Sequence, residues 1–124
     1  MYQRILVGTD GSATAARAVD RAVAVARTTG ASLTILSAGR PSRAQAVVDG
    51  EARRHGSSGV PIDTCVVDAD PVSALTDTAE RGGYDLVVTG NRGMTGPRRF
   101  LPVGSVPNKL SHHLPCSLLV VRTT

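Results

Sequence analysis

Aromatic residues are almost absent from this chain: Tyr2, Tyr84 and Phe100 are the whole set, and there is no tryptophan. The core must therefore be aliphatic, and a bound base would be packed by aliphatic side chains and backbone instead of stacking on a ring. A nucleic-acid binder more often combines aromatics with a concentrated basic stripe. Here the net charge of +4 is spread along the chain, so we expect no nucleic-acid partner.

Long hydrophobic runs and cysteines are also scarce. No apolar stretch approaches the roughly 20 residues that a membrane span needs, and the N-terminal residues lack the apolar segment of a secretory leader. We therefore expect a cytoplasmic protein without a membrane partner. Cys65 and Cys116 lie inside apolar runs, which favours small hydrophobic side chains over a disulfide.

The residues for two kinds of chemistry are missing as well. Lys109 is the only lysine and follows Gly104-Ser105 too late to act as a P-loop lysine, and no carboxylate beside the glycines is suited to activate water. We therefore expect no catalytic residues. Zinc sites usually need four ligands, and only three candidates lie close together in the sequence, so we expect no metal; the three are His112, His113 and Cys116.

Short apolar runs alternate with helix-like segments. The predicted strands cover residues 5–7, 33–36, 62–67, 86–89 and 116–121. Ser12 is predicted to cap the first helix, Gly30 to end it, and Pro71 to open the third. The weakest helix prediction covers about 41–56, because Gly50 lies inside it.

The resulting order is β-α-β-α-β-α-β-α-β, and the strands are apolar on both faces. This pattern predicts an α/β fold with an open five-stranded parallel sheet and helices on both faces. A length of 124 residues suits one domain spanning residues 1–124.

Glycines follow the fourth predicted strand. Gly90 and Gly93 come directly after it, and Gly104-Ser105 introduces the last helix. Glycines at the carboxyl end of a parallel strand let backbone N–H groups approach an anion, and open α/β sheets bind ligands at that edge. Right-handed crossovers bring Asp10, which follows the first strand, to the same edge. The sequence therefore predicts a phosphate site and, with Asp10, a nucleotide site.

Each of these residues has a purely structural alternative. Asp10 is also a suitable turn residue or cap for the first helix. Ser105 is also an ordinary N-cap, and Arg92 is also a suitable solvated loop residue. Arg98 and Arg99 are better explained as surface charge than as ligand contacts.

Taken together, four motifs in order resemble a universal stress protein domain of the bacterial single-domain kind, and the resemblance covers essentially the whole chain. The motifs are Gly8-Thr9-Asp10-Gly11-Ser12, Asp70-Pro71, the segment 85–90, and Gly90-x-x-Gly93 with Gly104-Ser105; the tail 107–116 fits too. The resemblance implies a Rossmann-like sheet of the adenine nucleotide alpha hydrolase kind. It further implies a cytoplasmic, UspA-like stress-response factor that pairs into a homodimer through its last strand.

The resemblance also assigns the chain to the family's ATP-binding branch. Asp10 would then hold the ribose hydroxyls, Gly8 and Thr9 would line the base and ribose, and Ala38 would touch the adenine. The phosphates, with or without magnesium, would be held by the later segment: Gly90, Arg92, Gly93, Gly104, Ser105 and Val106. Together with the missing catalytic groups, this implies a nucleotide-responsive regulator that is at most a slow ATPase.

Two departures from the family pattern leave alternatives open. Ten residues separate Gly93 from Gly104, one more than in the family, and Pro102 lies among them. The segment between the second and third strands is short for the family. One alternative is therefore a dimeric interaction protein whose phosphate loop is broken and which binds no nucleotide. Another is a variant that binds cAMP, because a cyclic phosphate needs less of the outer loop.

Overall fold

A computed structural model describes residues 1–91 and 106–122 of the chain. The described strands are β1 (Arg4–Gly8), β2 (Ser32–Ala38), β3 (Ile62–Val67), β4 (Leu86–Gly90) and β5 (Ser117–Val121). The described helices are α1 (Ala13–Thr29), α2 (Pro41–Arg54), α3 (Pro71–Gly82) and α4 (Val106–His113). The predicted element order is confirmed, and Gly8 and Gly90 prove to be the last residues of their strands.

The five strands form one parallel sheet in the order β3-β2-β1-β4-β5. After β1 the chain winds outward to β2 and β3, then returns to place β4 on the other side of β1. Ile5 pairs with Leu86 and Val7 with Val88 across this junction. The sheet therefore has its topological switch point between β1 and β4, which is where such sheets bind ligands.

Both faces of the inner strands β1, β2 and β4 are buried, which explains why these strands are mostly apolar instead of alternating. Ile5 and Val7 belong to one core together with residues of α1 and α2, whereas Leu6 belongs to a second core with residues of α3 and α4. The second core also contains Leu75 and Leu110, which are fully buried. The predicted α/β architecture with helices on both faces is confirmed.

Short-range signals fix the ends of α1 and α3 as predicted. The Ser12 hydroxyl accepts the Ala15 N–H at 3.1 Å, and Gly30 ends α1 in a left-handed conformation with φ 75°. At α3, one carboxylate oxygen of Asp70 accepts the N–H groups of Val72 and Ser73 at 3.1 and 3.2 Å. Pro71 occupies the first turn of that helix, where its missing N–H costs nothing.

Helix α2 forms in spite of Gly50 because both of its ends are anchored. Near its start Ala44 is buried, and Val48 joins the first core. At its end Arg54 makes an ion pair of 2.7 Å with Asp20 of α1 and donates to Glu51 at 3.0 Å. These contacts hold α2 against α1 and β2.

Cys65 and Cys116 are free thiols, as predicted, and both are half-buried against the second core. Burial raises the pKa of each thiol above its ordinary value, and the nearby Asp85 carboxylate adds to the shift at Cys116. Within residues 1–91 and 106–122, no helix is long and apolar enough to cross a bilayer.

Candidate ligand site at the switch point

The carboxyl ends of β1 and β4 leave the sheet side by side. Because Val7 pairs with Val88, Asp10 and Asn91 emerge at the same level on either side of the switch point. The Asn91 N–H donates to the carbonyl of Val121 at 2.9 Å, which fixes the exit of β4. Gly90, just before it, is buried and brings the backbone close to this edge.

The turn after β1 is held by its own side chains. Thr9 is fully buried, and its hydroxyl accepts the Gly11 N–H at 3.1 Å. One carboxylate oxygen of Asp10 accepts the Ser12 N–H at 2.9 Å. The structural alternative for Asp10, a turn and capping role, is therefore present in the molecule. A carboxylate accepts several hydrogen bonds, so this role is compatible with a ligand contact.

Helix α2 packs directly on this turn at Gly11. Gly11 has a φ of +84°, and a β-carbon built there would lie 2.9 Å from Cγ2 of Val47. Both the backbone conformation and the contact require glycine. The motif Asp10-Gly11-Ser12 thus has a packing role in addition to any contact with a ligand.

A cavity of about 220 Å³ opens between the β1 turn, the end of β2 and the first turns of α2. It is lined by Asp10, Ser37, Ala38, Gly39, Arg40, Arg43, Ala44 and Val47. This volume is below the roughly 300–1,000 Å³ of pockets that enclose a whole drug-sized ligand. It suits one part of a nucleotide, such as a base or a ribose.

The connection from β2 to α2 consists of only two residues, Gly39 and Arg40. Gly39 has a φ of 122°, and its N–H donates to the carbonyl of Val67 in β3 at 2.9 Å. Pro41 then starts α2. With so short a connection, the helix itself forms a wall of the cavity.

The structure brings together two of the predicted site residues, Asp10 and Ala38, in this cavity. Gly8 is buried at the end of β1, and Val106, at the start of α4, is only 9% exposed and packs into the second core. The rest of the predicted phosphate segment lies outside the described residues: Arg92, Gly93, Gly104 and Ser105.

Sequence reasoning missed the contribution of α2 to the cavity. Arg40, Arg43 and Val47 have the spacing of one helix face. The spacing alone indicates a shared helix face. That this face lines the cavity is known only from the packing of α2 against the β1 turn. Across the described ranges, no group of three or more His, Cys, Asp or Glu side chains is arranged to hold a metal ion.

Fold and cavity together define a doubly wound α/β domain with a cavity beside its switch point. Within that class, the profile of the Universal stress protein family matches residues 1–54 and 40–122. Universal stress protein Rv1636 of Mycobacterium tuberculosis (strain H37Rv) is 31% identical over 145 residues, which cover 99% of this chain and 98% of that protein. The chain belongs to the universal stress protein family.

Further sequence and structure comparisons also align with nearly the whole chain. Universal stress protein YxiE of Bacillus subtilis (strain 168) is 28% identical over 149 residues, covering 98% of this chain and all of that protein. A crystal structure of a universal stress protein in complex with cAMP shares 35% identity with a TM-score of 0.86, covering 99% of this chain and 98% of that one. The crystal structure of Rv1636 shares 34% identity with a TM-score of 0.69, covering 99% and 97%. The expected family and fold are confirmed.

The comparisons also show that this chain is shorter than a relative that it matches over its whole length. The alignment with YxiE spans 149 positions, whereas this chain has 124 residues, so the relative carries residues that are missing here. The family profile matches in two segments that overlap over residues 40–54. This overlap coincides with α2, directly after the two-residue connection from β2.

Proposed function

We propose that this protein binds an adenine nucleotide, ATP in the first place, and acts as a nucleotide-responsive regulator in the cytoplasm. The observation that carries the proposal is the meeting of Asp10 and Ala38 in one cavity beside the switch point, on the β2 side of β1. A carboxylate that can accept hydroxyl groups there suits a ribose, and the small apolar side chain leaves room for the flat face of a base. Family membership supports the same class of ligand.

In this proposal the phosphates extend across the end of β1 towards β4. Gly90 would begin the phosphate segment, and Arg92, Gly93, Gly104 and Ser105 would complete it before Val106. A helix N-terminus follows directly, because α4 begins at Val106. The partial positive charge at such an end favours phosphate oxygens. No residue is assigned to catalysis, and any ATP hydrolysis would be slow.

The second candidate ligand is cAMP. The solved relative with 35% identity and a TM-score of 0.86 is a universal stress protein in complex with cAMP. A cyclic phosphate makes fewer demands on the loop between Gly93 and Gly104, which is where this chain has its additional residue. An interaction protein that binds no nucleotide at all is the remaining alternative.

We also propose that two copies pair through β5. This strand is an edge of the sheet, and edge strands present unpaired backbone groups. Val120 is 42% exposed on it, while Leu118 and Leu119 are half-buried. Light scattering on the purified protein tests this pairing: a dimer is expected, and replacement of Val120 by lysine should yield monomers.

Calorimetric titration of nucleotide-free protein with MgATP and, separately, with cAMP tests the binding proposal. We expect submillimolar affinity for at least one of them, and about tenfold weaker binding in D10N, because a charged acceptor is lost. The asparagine keeps an oxygen that can accept the Ser12 N–H, so the turn is retained. D68N is the matched control, since Asp68 is exposed and does not line the cavity.

Absence of heat with either ligand in a folded sample would reject nucleotide binding. The interaction-protein alternative makes an opposite prediction: deletion of one residue from 101–103 should create or sharply improve ATP affinity. Tight binding of ATP by the parent protein would eliminate that alternative.

A further inference from the structure

Two guanidinium groups share the cavity with the Asp10 carboxylate. Arg40 is the N-cap residue of α2, and Arg43 follows within the first turn of the same helix. Both are exposed. Within the part of the chain that the structure describes, neither has an ion pair or a side-chain hydrogen bond.

The helix end at which these arginines lie is unfavourable for cations, and the Asp10 carboxylate in the same cavity supplies one negative charge against their two positive charges. The N-terminus of a helix carries a partial positive charge, so a cation there destabilises the helix. The first turn of α2 contains no acidic residue that would compensate. Arg54 at the other end of α2 differs in both respects, because it is paired with Asp20 and Glu51 at the favourable end of the helix. A bound anion would relieve the repulsion at the first turn.

The sheet order separates this pair from the proposed phosphate segment. Helix α2 packs on β2 and β3, whereas Gly90 ends β4 on the opposite side of β1. The two arginines line the part of the Asp10–Ala38 cavity that lies away from β4. A ligand that spans the edge would therefore meet one phosphate-binding region on each side of its ribose.

We propose that Arg40 and Arg43 bind a second phosphate, carried on the ribose of an adenine nucleotide. The preferred ligands would then be adenosine bisphosphates with one phosphate at the 5′ position and another at the 2′ or 3′ position. This inference rests on the proposed function. Asp10 would accept the remaining ribose hydroxyl, and guanidinium groups suit phosphate because their planar donors bind its oxygens in pairs. Arginines take a ribose phosphate in other dinucleotide-binding sheets by the same chemistry.

The test is calorimetric titration of the full-length, nucleotide-free protein with AMP, adenosine 3′,5′-bisphosphate and adenosine 2′,5′-bisphosphate. We expect at least one bisphosphate to bind about tenfold tighter than AMP, as for one added charge-assisted hydrogen bond. The R40A/R43A variant should lose this gain, and its affinity for AMP should fall by a much smaller factor than its affinity for the bisphosphate. The R21A/R53A variant is the control, because it removes the same charge from two exposed arginines that do not line the cavity.

Three results would overturn the inference, and they are distinguishable. If AMP binds but neither bisphosphate binds better, the arginine pair has no such role and the proposed function stands. If R40A/R43A weakens AMP and the bisphosphates by the same factor, the arginines contact the 5′ phosphate instead. If AMP, ATP, cAMP and both bisphosphates all fail to bind, the proposed function fails and this inference with it.

Folding of each variant is checked by circular dichroism. Should R40A/R43A not fold, R40K/R43K provides the same test, because it keeps the charge and loses the paired donors. The gain of the bisphosphate over AMP should then fall but not vanish. An unchanged gain would contradict the proposed contact.

Discussion

Replacement of Gly11 by alanine tests the packing of α2 against the turn that carries Asp10. The first cost is the backbone: a φ of +84° is unfavourable for alanine by about 1–2 kcal/mol. The second is the contact, because the new β-carbon would lie 2.9 Å from Cγ2 of Val47. Carbon atoms prefer separations of about 3.5–4.0 Å, and valine in a helix has one strongly preferred rotamer.

Relief of this contact therefore needs a shift of α2, and overpacking of this kind costs about 1–3 kcal/mol. With the backbone cost, we expect G11A to lower the free energy of unfolding by about 2–5 kcal/mol. The Gly59→Ala variant isolates the backbone contribution. Gly59 has a φ of +83°, and a β-carbon there meets no described atom within 4 Å.

The contact itself is isolated by the V47A/G11A double variant. Removal of the Val47 methyl groups eliminates the clash, so the two substitutions together should cost less than the sum of their separate costs, by about 1 kcal/mol or more. The assay is urea denaturation followed by circular dichroism, with an unchanged m-value as the sign that the same surface unfolds. The reasoning is refuted if G11A is no less stable than G59A, or if the double variant shows no coupling.

Three further perturbations follow from described contacts. D70A removes the cap of α3 and should cost about 1 kcal/mol, seen as a lower Tm, while D68A at a nearby exposed position should leave the Tm unchanged. Y84F removes the hydroxyl that donates to Thr34 at 2.7 Å; we expect a loss of about 1 kcal/mol in urea denaturation, and an unchanged midpoint would contradict it. Burial raises the pKa of the Cys65 thiol. In a variant with serine at position 116, labelling of Cys65 at pH 8 should therefore be slower than that of free cysteine and should accelerate only at higher pH. Equal rates at pH 8 would contradict the burial argument.

The fold could be predicted from the sequence because its signals are local. Each apolar run is long enough for a buried strand, and Ser12 and Asp70-Pro71 mark helix starts through hydrogen bonds to residues two or three positions away. The sequence predicts that β1 ends at Val7, one residue before its observed end, because Gly8 is also typical of a turn. Its pairing with Leu36 of β2 keeps it in the strand.

Only part of the candidate site could be predicted. Asp10 follows β1, and the placement of strand ends at one edge of a parallel sheet predicts its position. Ala38, the last residue of β2, was implied only by the resemblance to the family, and the structure places both residues in the cavity. The contribution of Arg40 and Arg43 was not predicted, because it depends on how α2 packs against the β1 turn at Gly11. This is a long-range contact, which no local sequence signal indicates.

The two-residue connection between β2 and α2 has a kinetic consequence. A wall that is continuous with a central strand, and locked to the β1 turn at Gly11, is in place before any ligand arrives. The ligand then loses no binding free energy to ordering of that wall. Association at this end of the cleft should be a single bimolecular step, without a slow closing phase. Stopped-flow traces would accordingly show one exponential whose rate rises linearly with ligand concentration.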